Sequence, residues 1–182
     1  MPNLRPRFRP PAAFTITELL VFVAILGILS AVTIRESLSY NRDQQAYAAT
    51  QELLGWLEAV SAQAAVNGPC TVTFTTGANL APGSTMASVT AGNASCSPEP
   101  ARLPSGSTIG TFAVGVAFTP NTSTTLVFSP RAGVLAGGVQ ATVKIVSAGG
   151  APLRCVRVNF SSLTGGSNAT SANVADTCDV WD

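Results

Sequence analysis

The sequence contains no histidine, and its only lysine is Lys144. Without an imidazole, the usual serine and cysteine hydrolase triads and histidine-ligated metal sites are excluded. Charged residues make up 10% of the 182 residues, aromatic residues make up 7%, and the formal net charge is +1. The chain is therefore not a basic protein of the kind that binds nucleic acid. We predict neither an enzyme nor a bound cofactor.

The carboxylates of the second half are few and scattered. Asp176, Asp179 and Asp182 lie close together in the sequence and carry the oxygen ligands that Ca²⁺ prefers. No further pattern supports a metal site, and we predict a solvated, frayed tail.

What the sequence does contain is one long apolar stretch, residues 14–34, with a single charged residue, Glu18, and no proline. As a helix it would measure roughly 31 Å, close to the hydrocarbon thickness of a bilayer. Arg5, Arg7 and Arg9 precede it without any acidic residue. The positive-inside rule then predicts a transmembrane helix with its N-terminus in the cytoplasm and the rest of the chain across the membrane.

The start of this stretch resembles a known processing site. A basic leader ends at Ala13 and is followed by Phe14 and then Glu18, five residues into the apolar helix. This pattern is similar to that of the type IV pilins and type II secretion pseudopilins. The resemblance implies that a prepilin peptidase removes residues 1–13, cutting between Ala13 and Phe14, and that the new Phe14 amine is methylated to N-methylphenylalanine.

The resemblance also implies a role for Glu18. An ionisable group inside a membrane is kept where a partner or a function requires it. In this family the glutamate is offset by the Phe14 amine of an adjacent subunit during filament assembly. Ala13 replaces the usual glycine, and Arg35 stands where major pilins often have proline, which favours a minor pilin or a pseudopilin.

A secretory signal peptide is the main alternative for this region. Basic residues and an apolar core from Leu19 to Leu29 match its first two parts. The third part, a cleavage site with small residues at two positions, is missing. Cleavage after Ala31 would place Leu29 at the second of these positions.

Residues 35–68 predict a continuation of the helix outside the membrane. Apolar residues recur at gaps of three and four, and Leu53 and Trp56 are expected to pack on a domain. The apolar positions are Ala46, Ala49, Leu53, Leu57, Val60 and Ala64. Asn67-Gly68-Pro69 predicts the end of the helix.

Residues 69–182 predict one β-rich periplasmic domain. Alternating and β-branched segments separated by turn residues indicate strands, and the interval 76–107 reads as a long loop with a short strand inside it. The predicted strands are residues 70–74, 86–90, 109–118, 125–128, 139–147 and 154–160. The fold class is therefore α+β, a long N-terminal helix packed on an antiparallel β-sheet domain, and the order of elements is similar to the GspH/FimT branch of the pilin family.

The four cysteines, Cys70, Cys96, Cys155 and Cys178, all follow the predicted span and contain no C-x-x-C motif. In an oxidising compartment they predict disulfides rather than a metal site. Three pairings are possible, and we favour the local ones, Cys70 with Cys96 and Cys155 with Cys178. Each would stabilise the domain by roughly 3–4 kcal/mol.

The resemblance implies a structural subunit of a type IV pilus or a type II secretion pseudopilus in the bacterial inner membrane. Its partners would be other pilin subunits, bound through the N-terminal helix, and the prepilin peptidase. The alternative is a membrane-anchored binding module for DNA, an exported protein or a surface. Some FimT-type relatives bind DNA through C-terminal arginines, but no Arg or Lys follows Arg157 here. Arg131, Lys144, Arg154 and Arg157 would have to share one face, and we predict no DNA binding.

Overall fold

In a computed structural model, a single long helix precedes a series of short strands. The structure describes residues 15–90, 96, 99–105, 110–119, 125–130, 139–149, 152–159 and 162–181, without the side chains of residues 31–36. The chain divides into two units, Met1–Leu38 and Ser39–Asp182.

The helix, α1, spans Ile16–Asn67. At its end Gly68 has a φ of 108°, and its N–H bonds to the carbonyl oxygen of Ala64 at 3.2 Å. A left-handed residue that returns a hydrogen bond to the last turn is the geometry in which glycine is favoured. The predicted helix end at Asn67-Gly68-Pro69 is confirmed.

In the first unit, the described residues 15–30 are all exposed, although most of them are apolar. The predicted span, 14–34, extends beyond them, because Phe14 and the side chains of residues 31–34 lie outside the described set. No helix in the described part of the chain has a stretch long and apolar enough to cross a membrane.

Ten strands are assigned among the described residues of the second unit. They are β1 Cys70–Phe74, β2 Gly77–Leu80, β3 Thr85–Val89, β4 Ala101–Arg102, β5 Phe112–Thr119, β6 Leu126–Phe128, β7 Gln140–Ser147, β8 Leu153–Val158, β9 Leu163–Asn168 and β10 Val180–Trp181. All of the strand pairs are antiparallel. They form a four-stranded sheet in the order β4-β3-β1-β6 and a six-stranded sheet in the order β10-β9-β8-β7-β5-β2.

The core lies between α1 and the two sheets. The predicted helix stripe is buried in it, with Leu53 and Leu57 fully covered and Trp56 8% exposed. Each sheet contributes large side chains, including Phe128 from β6 and Phe112 from β5. The α+β class, with the helix packed on antiparallel sheets, is confirmed.

The opposite face of the six-stranded sheet carries a second, smaller cluster. Val146, Leu153, Cys155 and Cys178 are buried there, with Val174 and Trp181 packed against them. We call residues 171–181 the covering segment, because Val174, Cys178 and the Trp181 side chain pack on this face; the segment ends in β10, at the edge of the same sheet. Two glycines leave room for it: a Cβ added to Gly115 would lie 3.2 Å from Val174 Cβ, and one added to Gly166 would lie 2.5 Å from Trp181 Cε3.

The structure corrects three sequence predictions. The interval 76–107 is not a long loop with a single strand, because it contains β2 and β4 as well as β3. β9 was not predicted at all, since Leu163–Asn168 is polar and contains two glycines. The tail is not frayed, because β10 pairs with β9 and Cys178 is disulfide-bonded.

Candidate functional site

The first turn of α1 is closed by two of its own side chains. The Thr15 backbone N–H and the Thr15 hydroxyl donate to Glu18 Oε2, at 2.9 and 3.0 Å, and the Glu18 N–H donates to Thr15 Oγ1 at 3.2 Å. This reciprocal arrangement is a capping box, in which a threonine and a glutamate three residues apart satisfy donors that the helix leaves unpaired. Glu18 therefore has a local structural role.

The turns that follow Glu18 are apolar on every side. Ten large apolar side chains between residues 16 and 29 are 46–85% exposed, with Leu26 the least and Ile16 the most exposed. The others are Leu19, Leu20, Val21, Phe22, Val23, Ile25, Ile28 and Leu29. A helix that is apolar all round is typical of a segment buried in a membrane or among other helices. A contiguous apolar surface of this kind marks an interaction site.

Two of the predicted site residues, Ala13 and Phe14, lie outside the described residues. The cleavage site between them and the pairing of the Phe14 amine with Glu18 stay predictions.

The four cysteines form two disulfide bonds, Cys70–Cys96 and Cys155–Cys178, with Cα–Cα distances of 5.8 and 6.4 Å. These are the two local pairings favoured from the sequence. The first joins β1 to the segment after β3. The second joins β8 to the covering segment, so it holds that segment to the sheet.

Among the described residues, the cationic side chains that the sequence singled out lie on two faces of the sheet, with Arg154 on one and Lys144 and Arg157 on the other. Arg154 lies opposite Ile145 on the helix-facing side of the sheet, where it binds Asp43 of α1. Lys144 lies opposite Cys155 and faces the covering segment. Arg131 is outside the described residues.

Lys144 and Arg157 both contact the covering segment. Lys144 is only 9% exposed, and its Nζ donates to the Ala175 carbonyl oxygen at 3.4 Å. The Arg157 guanidinium carbon lies 3.5 Å from the centroid of the Trp181 ring, a cation–π contact.

The aspartates of the tail do not form a metal site in the described part of the chain, where no group of three His, Cys, Asp or Glu residues is close enough to hold an ion. Asp176 instead accepts a hydrogen bond from the Ser171 hydroxyl at 2.6 Å. Asp182 is outside the described residues.

Sequence reasoning missed the contacts that join distant segments. Asp43 and Arg154 are separated by 111 positions, and nothing in the local sequence pairs them. Trp181 did carry a signal, because a tryptophan next to a valine in a polar tail is more typical of a strand than of a frayed end.

Comparisons of the chain with models of protein families, with curated proteins and with solved structures found no match. The function therefore has to be inferred from the residues and their geometry.

Proposed function

We propose that the chain is a structural minor pilin or pseudopilin subunit. A prepilin peptidase would remove residues 1–13, residues 14–34 would anchor the subunit in the bacterial inner membrane, and the domain after them would lie in the periplasm. The subunit would then join a type IV pilus or a type II secretion pseudopilus by packing its N-terminal helix against the helices of other subunits.

The observation that carries this proposal is the exposed apolar surface of residues 16–29. At about 25 cal/mol for each Å² of apolar surface, leaving ten such side chains in water would be strongly unfavourable. Lipid covers them before assembly, and neighbouring helices cover them in a filament. A helix that passes from one environment to the other needs an apolar surface on all sides.

Glu18 supplies the polar element of the mechanism. Its carboxylate has two donors from Thr15, both neutral, and within the described part of the chain it forms no salt bridge. The methylated Phe14 amine of an adjacent subunit stays positively charged and would pair with it. A charge pair in an apolar medium is strong and directional, so it would set the axial position at which one subunit joins the next.

Three substitutions separate the two roles of Glu18. Glu18→Gln removes the charge but keeps the capping box, because this motif accepts glutamate or glutamine at that position. Glu18→Ala removes both, and Thr15→Ala removes only the hydroxyl contacts. We expect Glu18→Gln and Glu18→Ala to abolish incorporation into filaments, whereas Thr15→Ala should assemble at close to the normal level.

Membrane insertion of each variant is followed in parallel by resistance to carbonate extraction, and all three should insert normally. The intact mass of the membrane-extracted protein should correspond to a chain that begins at methylated Phe14. Normal assembly of Glu18→Gln would exclude the charge pair. A mature protein that starts at Met1, or beyond Ser30, would exclude the filament subunit as a whole.

A further inference from the structure

A row of four side chains crosses the face of the six-stranded sheet on which the covering segment packs. Strand pairing places Ala117 of β5 opposite Thr142 of β7, Thr142 opposite Arg157 of β8, and Arg157 opposite Thr164 of β9. Residues directly opposite each other in an antiparallel pair share a face, with their Cβ atoms about 5 Å apart. Arg157 therefore stands between two threonines.

The Arg157 guanidinium is held by an aromatic ring. Its central carbon lies 3.5 Å from the centroid of the Trp181 ring. At this distance the guanidinium lies flat on the ring, because a tilted one would push a nitrogen into it. The ring is itself positioned by the sheet, since it lies against Gly166 and belongs to β10, which pairs with β9. The plane of the guanidinium is therefore set before any ligand binds, which lowers the entropy lost on binding.

The hydrogen-bond donors of this guanidinium are unused within the described part of the chain. There Arg157 has neither a hydrogen bond nor an ion pair, whereas Arg154 on the same strand binds Asp43. A guanidinium carries five N–H groups around the edge of its plane, and stacking on a ring uses its face, so the edge stays available. The hydroxyls of Thr142 and Thr164 also have no hydrogen bond to another described residue.

The described part of this face carries one cation that solvent can reach. Lys144 lies on the same face, but it is only 9% exposed and donates to the Ala175 carbonyl oxygen. A nucleic-acid backbone requires several cations at once, so a single accessible guanidinium is suited to one anionic group. A carboxylate matches it in shape, because its two oxygens accept two parallel N–H bonds from the edge of a guanidinium.

From these observations we infer that Thr142, Arg157 and Thr164 bind one carboxylate of a protein partner, on an aspartate or glutamate side chain. The Arg157 edge donates to both carboxylate oxygens, and the threonine hydroxyls bond to the carboxylate or to the peptide group beside it. Sites for small molecules are concave, whereas this row lies on the open face of a sheet, which favours a protein ligand that makes further contacts around it. The inference is independent of the proposed function, because all of these residues lie in the second unit.

The two tryptophans of the chain, Trp56 and Trp181, give a direct readout. The full chain, labelled with 5-fluorotryptophan and dissolved in detergent, should show two fluorine resonances, and Trp181→Phe assigns them by removing one. Sodium acetate then replaces sodium chloride at constant ionic strength. We expect a saturable shift of the Trp181 resonance with a midpoint of roughly 10–100 mM, the strength of one charge-assisted contact, while the Trp56 resonance stays in place.

Three variants locate the binding. Arg157→Gln should abolish the saturable shift, and Arg157→Lys should weaken acetate binding roughly five-fold or more, because an ammonium keeps the charge but has no planar pair of donors. Arg102→Gln is the matched control, since Arg102 is an exposed arginine of the other sheet, and its titration should equal that of the unmodified chain. An unchanged Trp56 resonance shows in each variant that the core is folded.

The carboxylate site is overturned if acetate shifts the Trp181 resonance no more than chloride does, or if Arg157→Lys binds acetate as tightly as the unmodified chain. The amide of N-acetylaspartate, which presents the carboxylate on a peptide unit, tests the protein source. It should bind at least as tightly as acetate, and several-fold weaker binding would exclude a protein partner. Saturation that appears only after Asp182→Asn would show that the chain's own tail fills the site, and would also exclude the partner.

Discussion

Arg154 of β8 binds Asp43 of α1 through two donors on one carboxylate oxygen, with Nε at 3.0 Å and Nη2 at 2.5 Å from Oδ1. The side chains are 22% and 25% exposed, so the pair is largely shielded from water. It joins the helix to the six-stranded sheet. One turn further along, the same guanidinium lies over Tyr47.

Removing the charge of Asp43 should weaken this junction. We expect Asp43→Asn to lower the free energy of unfolding by about 1 kcal/mol, because a partly shielded, hydrogen-bonded ion pair contributes more than an exposed one. Urea denaturation of the full chain in detergent, followed by the fluorescence of Trp56 and Trp181, measures the change.

Glu52→Gln is the matched control for Asp43→Asn, since Glu52 is an exposed carboxylate on the same helix. Its effect should stay within about 0.5 kcal/mol. A double-mutant cycle with Arg154→Gln tests the pairing itself, and additive effects of the two substitutions would contradict it.

Gly166 is predicted to tolerate no side chain. A Cβ there would lie 2.5 Å from the Trp181 ring and 2.8 Å from the Val180 carbonyl oxygen, and the backbone oxygen cannot move without disturbing the pairing of β10 with β9. We expect Gly166→Ala to destabilise the chain by about 1–3 kcal/mol, measured by the same denaturation.

Gly55→Ala is expected to have the opposite effect on stability. Gly55 is exposed in the middle of α1, and an added Cβ would meet nothing within 4 Å. Alanine in a helix is more stable than glycine by about 0.5–1 kcal/mol, so this variant should gain stability. The packing described for Gly166 would be refuted if both glycine variants gained stability.

The Cys155–Cys178 disulfide should hold the covering segment in place. We expect the double variant Cys155→Ala, Cys178→Ala to lose roughly 3 kcal/mol of unfolding free energy. Amide hydrogen exchange should also rise in residues 171–181.

The other disulfide is the comparison. The double variant Cys70→Ala, Cys96→Ala removes a disulfide that closes a loop of similar size, with a sequence separation of 26 against 23. Neither of these cysteines lies in the covering segment. This variant should lower stability by a similar amount without raising exchange in residues 171–181. Unchanged exchange there in the Cys155→Ala, Cys178→Ala variant would show that packing alone holds the segment.

Local patterns predicted the elements that have a regular apolar period. α1 ends where Gly68 interrupts it, β1 matches the alternating segment 70–74, and the stripe from Ala46 to Ala64 is buried as expected. β9 was missed because Leu163–Asn168 contains Gly165 and Gly166 and little apolar surface. Its strand conformation depends on pairing with β8 and on cover from Trp181, neither of which is local.

In the candidate site, too, the local contacts could be predicted from the sequence and the contacts between distant segments could not. Glu18 stood out in the sequence because it is the only charge in a long apolar stretch, and its contact with Thr15 is only three residues away. The environments of Lys144, Arg154 and Arg157 depend on strand register and on the covering segment. A register shift of one residue would exchange the two faces of β8, so their contacts could not be read from spacing alone.

The order of β8, β9 and the covering segment along the chain has a consequence for biogenesis. As the polypeptide is synthesised from its N-terminus, β8 and β9 are made before the residues that cover them, and Cys155 is made before Cys178. During that interval Leu153 and Val146 remain exposed to water, and the Cys155 thiol has no disulfide partner. A chaperone or a thiol oxidase acting on the nascent chain would bind these residues during that interval.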